Sequence, residues 1–301
     1  TAWVWKSGLD FHMRAVASER VASTLHTMKA STGHHSGPFV HANLRSRANR
    51  RLPPESMAPH LPDFLGLGTQ KGGTTTLHWL LTKHQQVHLP KCKEVHYFTQ
   101  HHHQGEAWYG SHFENAAPQQ RCGEITPFYL FHPEAAGRIH ALLPQAKLIV
   151  LLRDPVERAI SHFFHARQRG FEPLELEDAM AAESNRLASG DPFSFQKHSY
   201  VSRSRYLEQL DRYEALFPSH QLLILRSEDL FEQVEQIWPR LLHFLDLEPI
   251  AVPTHLPQAN AGRGEARSVD PALRDRLRNQ LSGTVAGIQS RYGITWEWGL
   301  D

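Results

Sequence analysis

A glycine-rich turn between a short apolar run and a helical pattern constrains this chain most. The run Phe64 to Gly68 ends in glycine, residues 69–73 read TQKGG, and helical spacing continues from Thr74 to Lys83. This order predicts a strand, a tight loop and a helix. Glycines let a backbone wrap around an anion, while a helix N-terminus and Lys71 supply positive charge. We therefore predict a phosphate-binding loop, whose Lys-Gly-Gly-Thr order differs from the Gly-Lys-Thr order of a Walker A loop.

The pattern of the remaining chain predicts the fold class. Residues 148–152 and 222–225 are apolar runs without polar alternation, as expected of parallel strands covered on both faces. Amphipathic stretches at 156–169 and 204–216 and a closing helix from Pro271 to Arg291 accompany them. We predict an α/β, P-loop-like three-layer fold in which helices flank a central, mainly parallel sheet.

Charge divides the chain into two parts. Residues 1–51 carry eight Lys/Arg and two Asp/Glu, whereas the remainder carries 24 and 29. We predict a basic leader or linker over residues 1–62 and one catalytic domain over 63–301. Residues 52–301 carry no excess of positive charge, which argues against a nucleic-acid partner because phosphate backbones are bound through clustered positive charge. No apolar run approaches the ~18 residues of a membrane span, so we expect no integral membrane segment.

A second anion-binding motif follows the apolar run 148–152. Arg153 comes directly after it, and Pro155 then begins a predicted helix. Arg153 would thus lie at the carboxyl edge of the sheet, where open α/β sheets bind ligands. With Ser161, two helical turns further on, it could hold a second phosphate. The alternative interpretation is a surface ion pair of Arg153 with Asp154 or Glu157.

The two motifs together resemble the segments with which sulfotransferases bind 3'-phosphoadenosine 5'-phosphosulfate (PAPS). The likeness is greatest to the branch of the heparan sulfate N- and 3-O-sulfotransferases and their bacterial relatives, including polyketide-associated domains, and it extends from about Asp63 to the C-terminus. Lys93 to Phe98 resembles the Glu-x-His-x-Phe segment of that branch, Trp108-Tyr109 its aromatic pair, and Gly123 to Pro127 its Glu-x-Thr-Pro turn. This chain has Ile125 where the animal enzymes often have lysine.

The resemblance implies catalytic roles for Glu94, Lys71 and His96. Glu94 would be the general base, and Lys71 would stabilise charge on the oxygen that leaves sulfur. We expect partial burial in the apolar residues around Glu94 to raise its pKa. His96 is two residues further on in a segment predicted to be extended, so it would share a face with Glu94. The alternative for Glu94 is an exposed glutamate paired with Lys93.

The resemblance also implies the cofactor-binding residues. Those expected around the 5'-phosphate are Lys71, Gly72, Gly73, Thr74 and Thr75. Those expected around the 3'-phosphate are Arg153, Ser161 and, from a basic loop before the closing helix, Arg263 with Arg267 as the alternative. Transfer from PAPS does not imply a metal. Although the chain has 22 histidines, three adjacent ones at 101–103 cannot all face one ion from a regular element.

The sequence therefore predicts transfer of a sulfuryl group from PAPS to a hydroxyl or amine of a carbohydrate or a small-molecule, polyketide-type acceptor. The alternatives are a P-loop nucleotide or nucleoside kinase and a catalytically inactive PAPS-binding module. Two cysteines, Cys92 and Cys122, are too few for a disulfide scaffold, and we expect them to be unpaired. We expect a cytoplasmic location, or the Golgi lumen if a membrane anchor precedes this sequence.

Overall fold

A five-stranded sheet organises the computed structural model, which describes residues 60–257 and 268–297. The strands are β1 (Phe64–Gly68), β2 (Val87–His88), β3 (Arg121–Ile125), β4 (Lys147–Leu152) and β5 (Leu222–Arg226). Their spatial order is β2-β3-β1-β4-β5, and every neighbouring pair is parallel. The prediction of a parallel sheet is confirmed.

Helices fill the connections between the strands. They are α1 (Thr74–Leu81), α2 (Gly105–Gly110), α3 (Phe128–Phe131), α4 (Ala135–Leu142), α5 (Pro155–Gln168), α6 (Leu176–Ala188), α7 (Pro192–Lys197), α8 (Tyr206–Glu214), α9 (Asp229–Glu232), α10 (Val234–Phe244) and α11 (Pro271–Tyr292). Within the described residues, no helix combines the length and apolar character needed to cross a membrane.

The two faces of the sheet belong to different parts of the core. In β4, Leu148 and Val150 lie in one apolar cluster with residues of α4 and α8. Ile149 and Leu151 lie in another with residues of α1 and α10. Successive strand residues point to opposite faces, so β4 is covered on both sides. The three-layer α/β fold is confirmed.

The strand order places a topological switch point beside β1. This strand lies between β3 and β4. The next two strands along the chain, β2 and β3, lie on one side of β1, and the last two, β4 and β5, lie on the other. Parallel sheets bind ligands outside the carboxyl ends of the strands at such a point. The glycine-rich turn follows β1 and Arg153 follows β4, which brings both sequence motifs to this edge.

Residues 1–59, which include most of the predicted basic leader, lie outside the described residues. The boundary between residues 62 and 63 therefore stays a prediction. Both cysteines are free thiols, Cys122 buried in β3 and Cys92 exposed.

Candidate active site

The loop after β1 is held by the ends of two neighbouring strands. Thr69 donates to the carbonyl oxygen of Leu151 through its backbone N–H at 2.8 Å and through Oγ1 at 3.0 Å. From the end of β5, Ser227 Oγ donates to the carbonyl oxygen of Gly72 at 2.9 Å. These bonds fix the loop on the sheet edge.

The loop requires glycine at positions 72 and 73 for different structural reasons. A Cβ at Gly72 would lie 2.4 Å from Thr69 Oγ1 and 3.0 Å from the carbonyl oxygen of Leu151, so no larger residue fits. Gly73 has φ of 87° and is the N-cap of α1, without a capping side chain. The N–H groups of the first turn of a helix lack partners within the helix, so those of α1 are suited to an anion.

Lys71 and Arg153 meet across this loop although 82 residues separate them. Arg153 Nη1 donates to the carbonyl oxygen of Lys71 at 3.1 Å. Lys71 adopts a left-handed backbone with φ of 70°, a costly conformation for a residue with a side chain. Burial lowers the pKa of Lys71, and the positive charges of Arg153 and Arg169 lower it further. An anion between Lys71 and Arg153 would relieve this repulsion.

The alternative of a surface ion pair between Arg153 and Glu157 is wrong. Glu157 pairs with Arg274 of α11. Asp154 caps α5 by accepting hydrogen bonds from the N–H groups of residues 156 and 157 at 2.8 and 2.9 Å.

A cavity of about 620 Å³ opens at this sheet edge. Six of the predicted residues line it: Lys71, Gly73, Thr74, Thr75, Glu94 and Arg153. Gly72, within the loop, and His96 do not line the cavity themselves, but His96 contacts Glu94, which does. The structure thus brings together the predicted phosphate loop, Arg153 and Glu94.

Ser161 is buried on α5, and it is not among the residues that line the cavity. Glu157 and His165, one turn before and one turn after it, do line the cavity. Residues four apart share a helix face, so Ser161 belongs to the face turned toward the site. Its contact with a phosphate stays a prediction, and so does that of Arg263, which lies outside the described residues.

Glu94 faces two cationic or potentially cationic groups. Lys93 Nζ lies 2.9 Å from Glu94 Oε1, and His96 Nε2 lies 3.5 Å from Oε2. Burial favours a raised pKa, but the hydrogen bond with His96 and the charge of Lys93 outweigh it and lower the pKa of Glu94 to about 2. The prediction of a raised pKa is therefore wrong, because the apolar neighbours in sequence turn into the core. Glu94 lines the cavity, as expected of a catalytic base, and it also pairs with Lys93, as the alternative interpretation expected.

The expected extended conformation of the Glu94 segment is also wrong. His96 has φ of 58°, and residues 97–100 form turns rather than a strand. His96 meets Glu94 because of this reversal, not because of strand alternation.

Ile125, where the related enzymes often have lysine, is fully buried in β3. A Cβ on Gly66 of β1 would lie 2.8 Å from Ile125 Cγ1, so this side chain packs between the strands and α1. It makes no contribution to the cavity lining.

Sequence reasoning missed His165, Ser227 and Phe231, all of which line the cavity. Ser227 follows β5 as Arg153 follows β4, and that position after an apolar run is a signal that could have identified it. Phe231 lies in the short helix α9, and its ring would be 3.2 Å from a Cβ on Gly73. No local pattern marks Phe231, because its place depends on how α9 packs onto the loop.

Comparison with known proteins agrees with this arrangement. A family model described as a sulfotransferase domain matches residues 61–258. The membrane-associated sulfotransferase kil1 of Dictyostelium discoideum is 29% identical over 284 residues, covering 68% of this chain and 60% of the relative. Heparan sulfate glucosamine 3-O-sulfotransferase 3B1 of Mus musculus is 32% identical over 200 residues, covering 65% of this chain and 48% of the relative. The chain thus spans no more than 60% of the length of these relatives.

A solved structure shares the fold. The sulfotransferase from Alicyclobacillus acidocaldarius superposes with a TM-score of 0.68 at 24% identity, covering 79% of this chain and 98% of that one. The family model covers most of the described residues, including the loop after β1, the Glu94 segment and Arg153. This chain belongs to the sulfotransferase domain family.

Proposed function

We propose that this protein transfers the sulfuryl group of PAPS to a hydroxyl or amine of a carbohydrate or small-molecule acceptor. The observation that carries the proposal is the meeting of Lys71, Arg153 and Glu94 at one cavity. Such a set combines two cations for a doubly phosphorylated nucleotide with a carboxylate for the acceptor proton. Membership of the sulfotransferase family and the absence of a Gly-Lys-Thr order argue against the kinase alternative.

The donor site is proposed from the charges and the loop geometry. The N–H groups at the start of α1, with Gly72, Gly73, Thr74 and Thr75, would bind the 5'-phosphate. Arg153, Ser161 and Arg263 would bind the 3'-phosphate. The ring of Phe231, which lines the cavity, would offer an apolar face to the adenine. The fit is supported by the uncapped α1 N-terminus, since an anion there would satisfy N–H groups that no side chain caps.

PAPS supplies the sulfuryl group, which moves in line from its bridging oxygen to the acceptor. A bond forms between the acceptor oxygen or nitrogen and sulfur, and the bond from sulfur to the 5'-phosphate oxygen breaks. Lys71 would stabilise the negative charge on that leaving oxygen. Glu94 would take the acceptor proton, and His96 would keep the carboxylate oriented through the 3.5 Å contact.

The low pKa of Glu94 bears on this role. A carboxylate with a pKa of about 2 is ionised at neutral pH and thus able to accept a proton, but it is a weak base. Proton transfer to Glu94 is therefore expected to follow the formation of the new bond to sulfur, which makes the acceptor proton strongly acidic. Movement of Lys93 away from Glu94 would strengthen the base.

Basic side chains lie near His165, which lines the cavity. Burial, together with the charges of Lys71, Arg169 and Lys197, lowers the pKa of His165 to about 4. Arg167, in the same region, pairs with Glu175 at 2.6 Å, and Arg203 donates to Gln70 at 2.5 Å. We assign Arg169 and Lys197 to the acceptor and favour a carbohydrate or small molecule that bears an anionic group.

The free thiols of Cys92 and Cys122 fit a reducing compartment, so we retain the cytoplasm as the proposed location.

Transfer of radiolabelled sulfate from PAPS to a panel of sugars, phenols and amines tests the proposed function. Lys71→Ala is expected to lower the rate at least ~100-fold, because preorganised charge at the leaving oxygen is lost. Lys83→Ala is the matched control, since Lys83 follows the same helix and lies over the ring of Trp79, 5.0 Å from its centroid. Unchanged transfer by Lys71→Ala, or equal losses in both variants, would contradict the assigned role of Lys71.

A further inference from the structure

A fully buried carboxylate lies close to residues 93–98, here called the catalytic segment because it contains Glu94 and His96. Glu124 is 1% exposed and belongs to β3, next to the central strand. Its oxygens accept three hydroxyl hydrogen bonds: Tyr109 and Tyr129 donate to Oε1 at 2.7 Å each, and Thr126 donates to Oε2 at 2.9 Å. A carboxylate accepts hydrogen bonds at both oxygens, so this set of donors matches its ionised form. No step of the proposed reaction uses Glu124.

The partners of Glu124 are also the packing partners of the catalytic segment. The ring of Tyr97 stacks on that of Tyr109 with centroids 4.2 Å apart and planes 6° from parallel. Phe98 packs edge to face against Tyr109 at 5.3 Å and against Tyr129 at 5.4 Å. The two tyrosines that Glu124 orients therefore form the platform on which the segment rests.

Two longer backbone contacts connect the same groups. The N–H of His96 lies 3.5 Å from Thr126 Oγ1, and the N–H of Phe98 lies 3.4 Å from the hydroxyl oxygen of Tyr129. Two of the three hydroxyls that donate to Glu124, those of Thr126 and Tyr129, thus also face a backbone N–H group of the segment. This matters because the segment forms no strand and His96 has a positive φ, so no sheet hydrogen bonds fix it.

We propose that Glu124 is a positioning residue for the reaction: through Tyr109, Tyr129 and Thr126 it fixes the turn that holds Glu94 and His96 at the cavity. The inference rests on the proposed roles of Glu94 and His96. It does not place Glu124 in contact with donor or acceptor, since Glu124 does not line the cavity. A displacement of about 1 Å in a catalytic group is enough to cost ~100-fold in rate.

The first test needs no acceptor. Glu124→Gln keeps the shape, but an amide nitrogen cannot accept a hydroxyl hydrogen bond. With the turn loosened, the contact between Glu94 and His96 should weaken. The pKa of Glu94, followed by carbon NMR of the labelled carboxyl, should then rise from about 2 toward 4.5. Tyr129→Phe should raise it in the same direction.

Tyr213→Phe is the matched control. Tyr213 is fully buried and donates to the backbone carbonyl oxygen of Tyr129 at 2.7 Å, so its hydroxyl contacts the same neighbour but not Glu124. This variant should leave the pKa of Glu94 at its wild-type value. If Glu124→Gln does not fold, Tyr129→Phe against Tyr213→Phe decides the question.

The second readout separates positioning from folding and from donor binding. In folded Glu124→Gln, kcat should fall at least ~10-fold, whereas KM for PAPS should change by less than about twofold. An unchanged Glu94 pKa together with wild-type kcat would overturn the inference, and so would equal effects in Tyr213→Phe. Wild-type activity in Glu94→Gln would instead overturn the proposed base, and the NMR comparison would still report on Glu124.

Discussion

At the scale of single residues, the environment of Glu94 differs most from expectation. The sequence places apolar residues on both sides of Glu94, and a raised pKa follows if they surround its carboxyl. In the fold Val95, Tyr97 and Phe98 are core residues, while Lys93 and His96 face the carboxyl. The neighbours of a side chain in a turn depend on backbone reversal, and no periodicity in the sequence reports that reversal.

The low pKa of Glu94 can be tested by removing its cationic neighbour. Lys93→Ala eliminates the 2.9 Å contact and one positive charge, so the pKa of Glu94 should rise from about 2 toward 4.5. In the wild type this depressed pKa contributes stability that is present above about pH 4.5 and is lost as pH falls toward 2. Carbon NMR titration of the carboxyl measures the shift, and Lys91→Ala controls for a change in net charge nearby. A pKa that stays near 2 in Lys93→Ala would show that the ion pair is not its cause.

At the scale of elements, the sequence predicted the strands and helices whose apolar run or helical spacing is uninterrupted. The strands β1, β4 and β5 and the long helices α5 and α11 were predicted from apolar runs and helix-start signals. β3 was missed because it contains Arg121, Gly123 and Glu124, which break an apolar run. Gly123 is required there, since a Cβ would lie 2.1 Å from the ring of Phe64, and Glu124 is satisfied only by tertiary contacts.

The loop between β1 and α1 provides a test of the donor site through its geometry. Gly72→Ala places a methyl group 2.4 Å from Thr69 Oγ1, so the loop should shift and binding of 3'-phosphoadenosine 5'-phosphate (PAP), the product nucleotide, should weaken at least ~10-fold. Gly137→Ala is the control, because Gly137 lies exposed in α4 and the added methyl would meet no atom within 4 Å beyond the neighbouring backbone of its own helix. That variant should gain about 0.5–1 kcal/mol of stability and bind PAP normally. Equal affinity in both variants would contradict the loop assignment.

At the scale of the whole molecule, the sheet order explains why distant motifs form one site. The switch point beside β1 brings the loop after β1 and the residue after β4 to the same edge, and Arg153 then bonds to Lys71. The apolar runs and the helical spacing between them were sufficient to predict an α/β fold, and the residues that directly follow two of these runs were sufficient to predict the two motifs. The sequence could not identify which residues from β5 and α9 complete the cavity, since their approach depends on packing across the sheet.

The central claim is that this cavity binds a doubly phosphorylated nucleotide through Arg153 without a metal. Calorimetric titration of PAP into wild type and Arg153→Ala in a metal-free buffer tests it most directly, with ATP and magnesium titrated in parallel and the exposed Arg276→Ala as charge control. We expect tight binding by wild type and Arg276→Ala and at least about tenfold weaker binding by Arg153→Ala, since one charge-assisted hydrogen bond contributes ~1.5–3 kcal/mol. No binding of PAP, or preference for ATP with magnesium, would contradict the account.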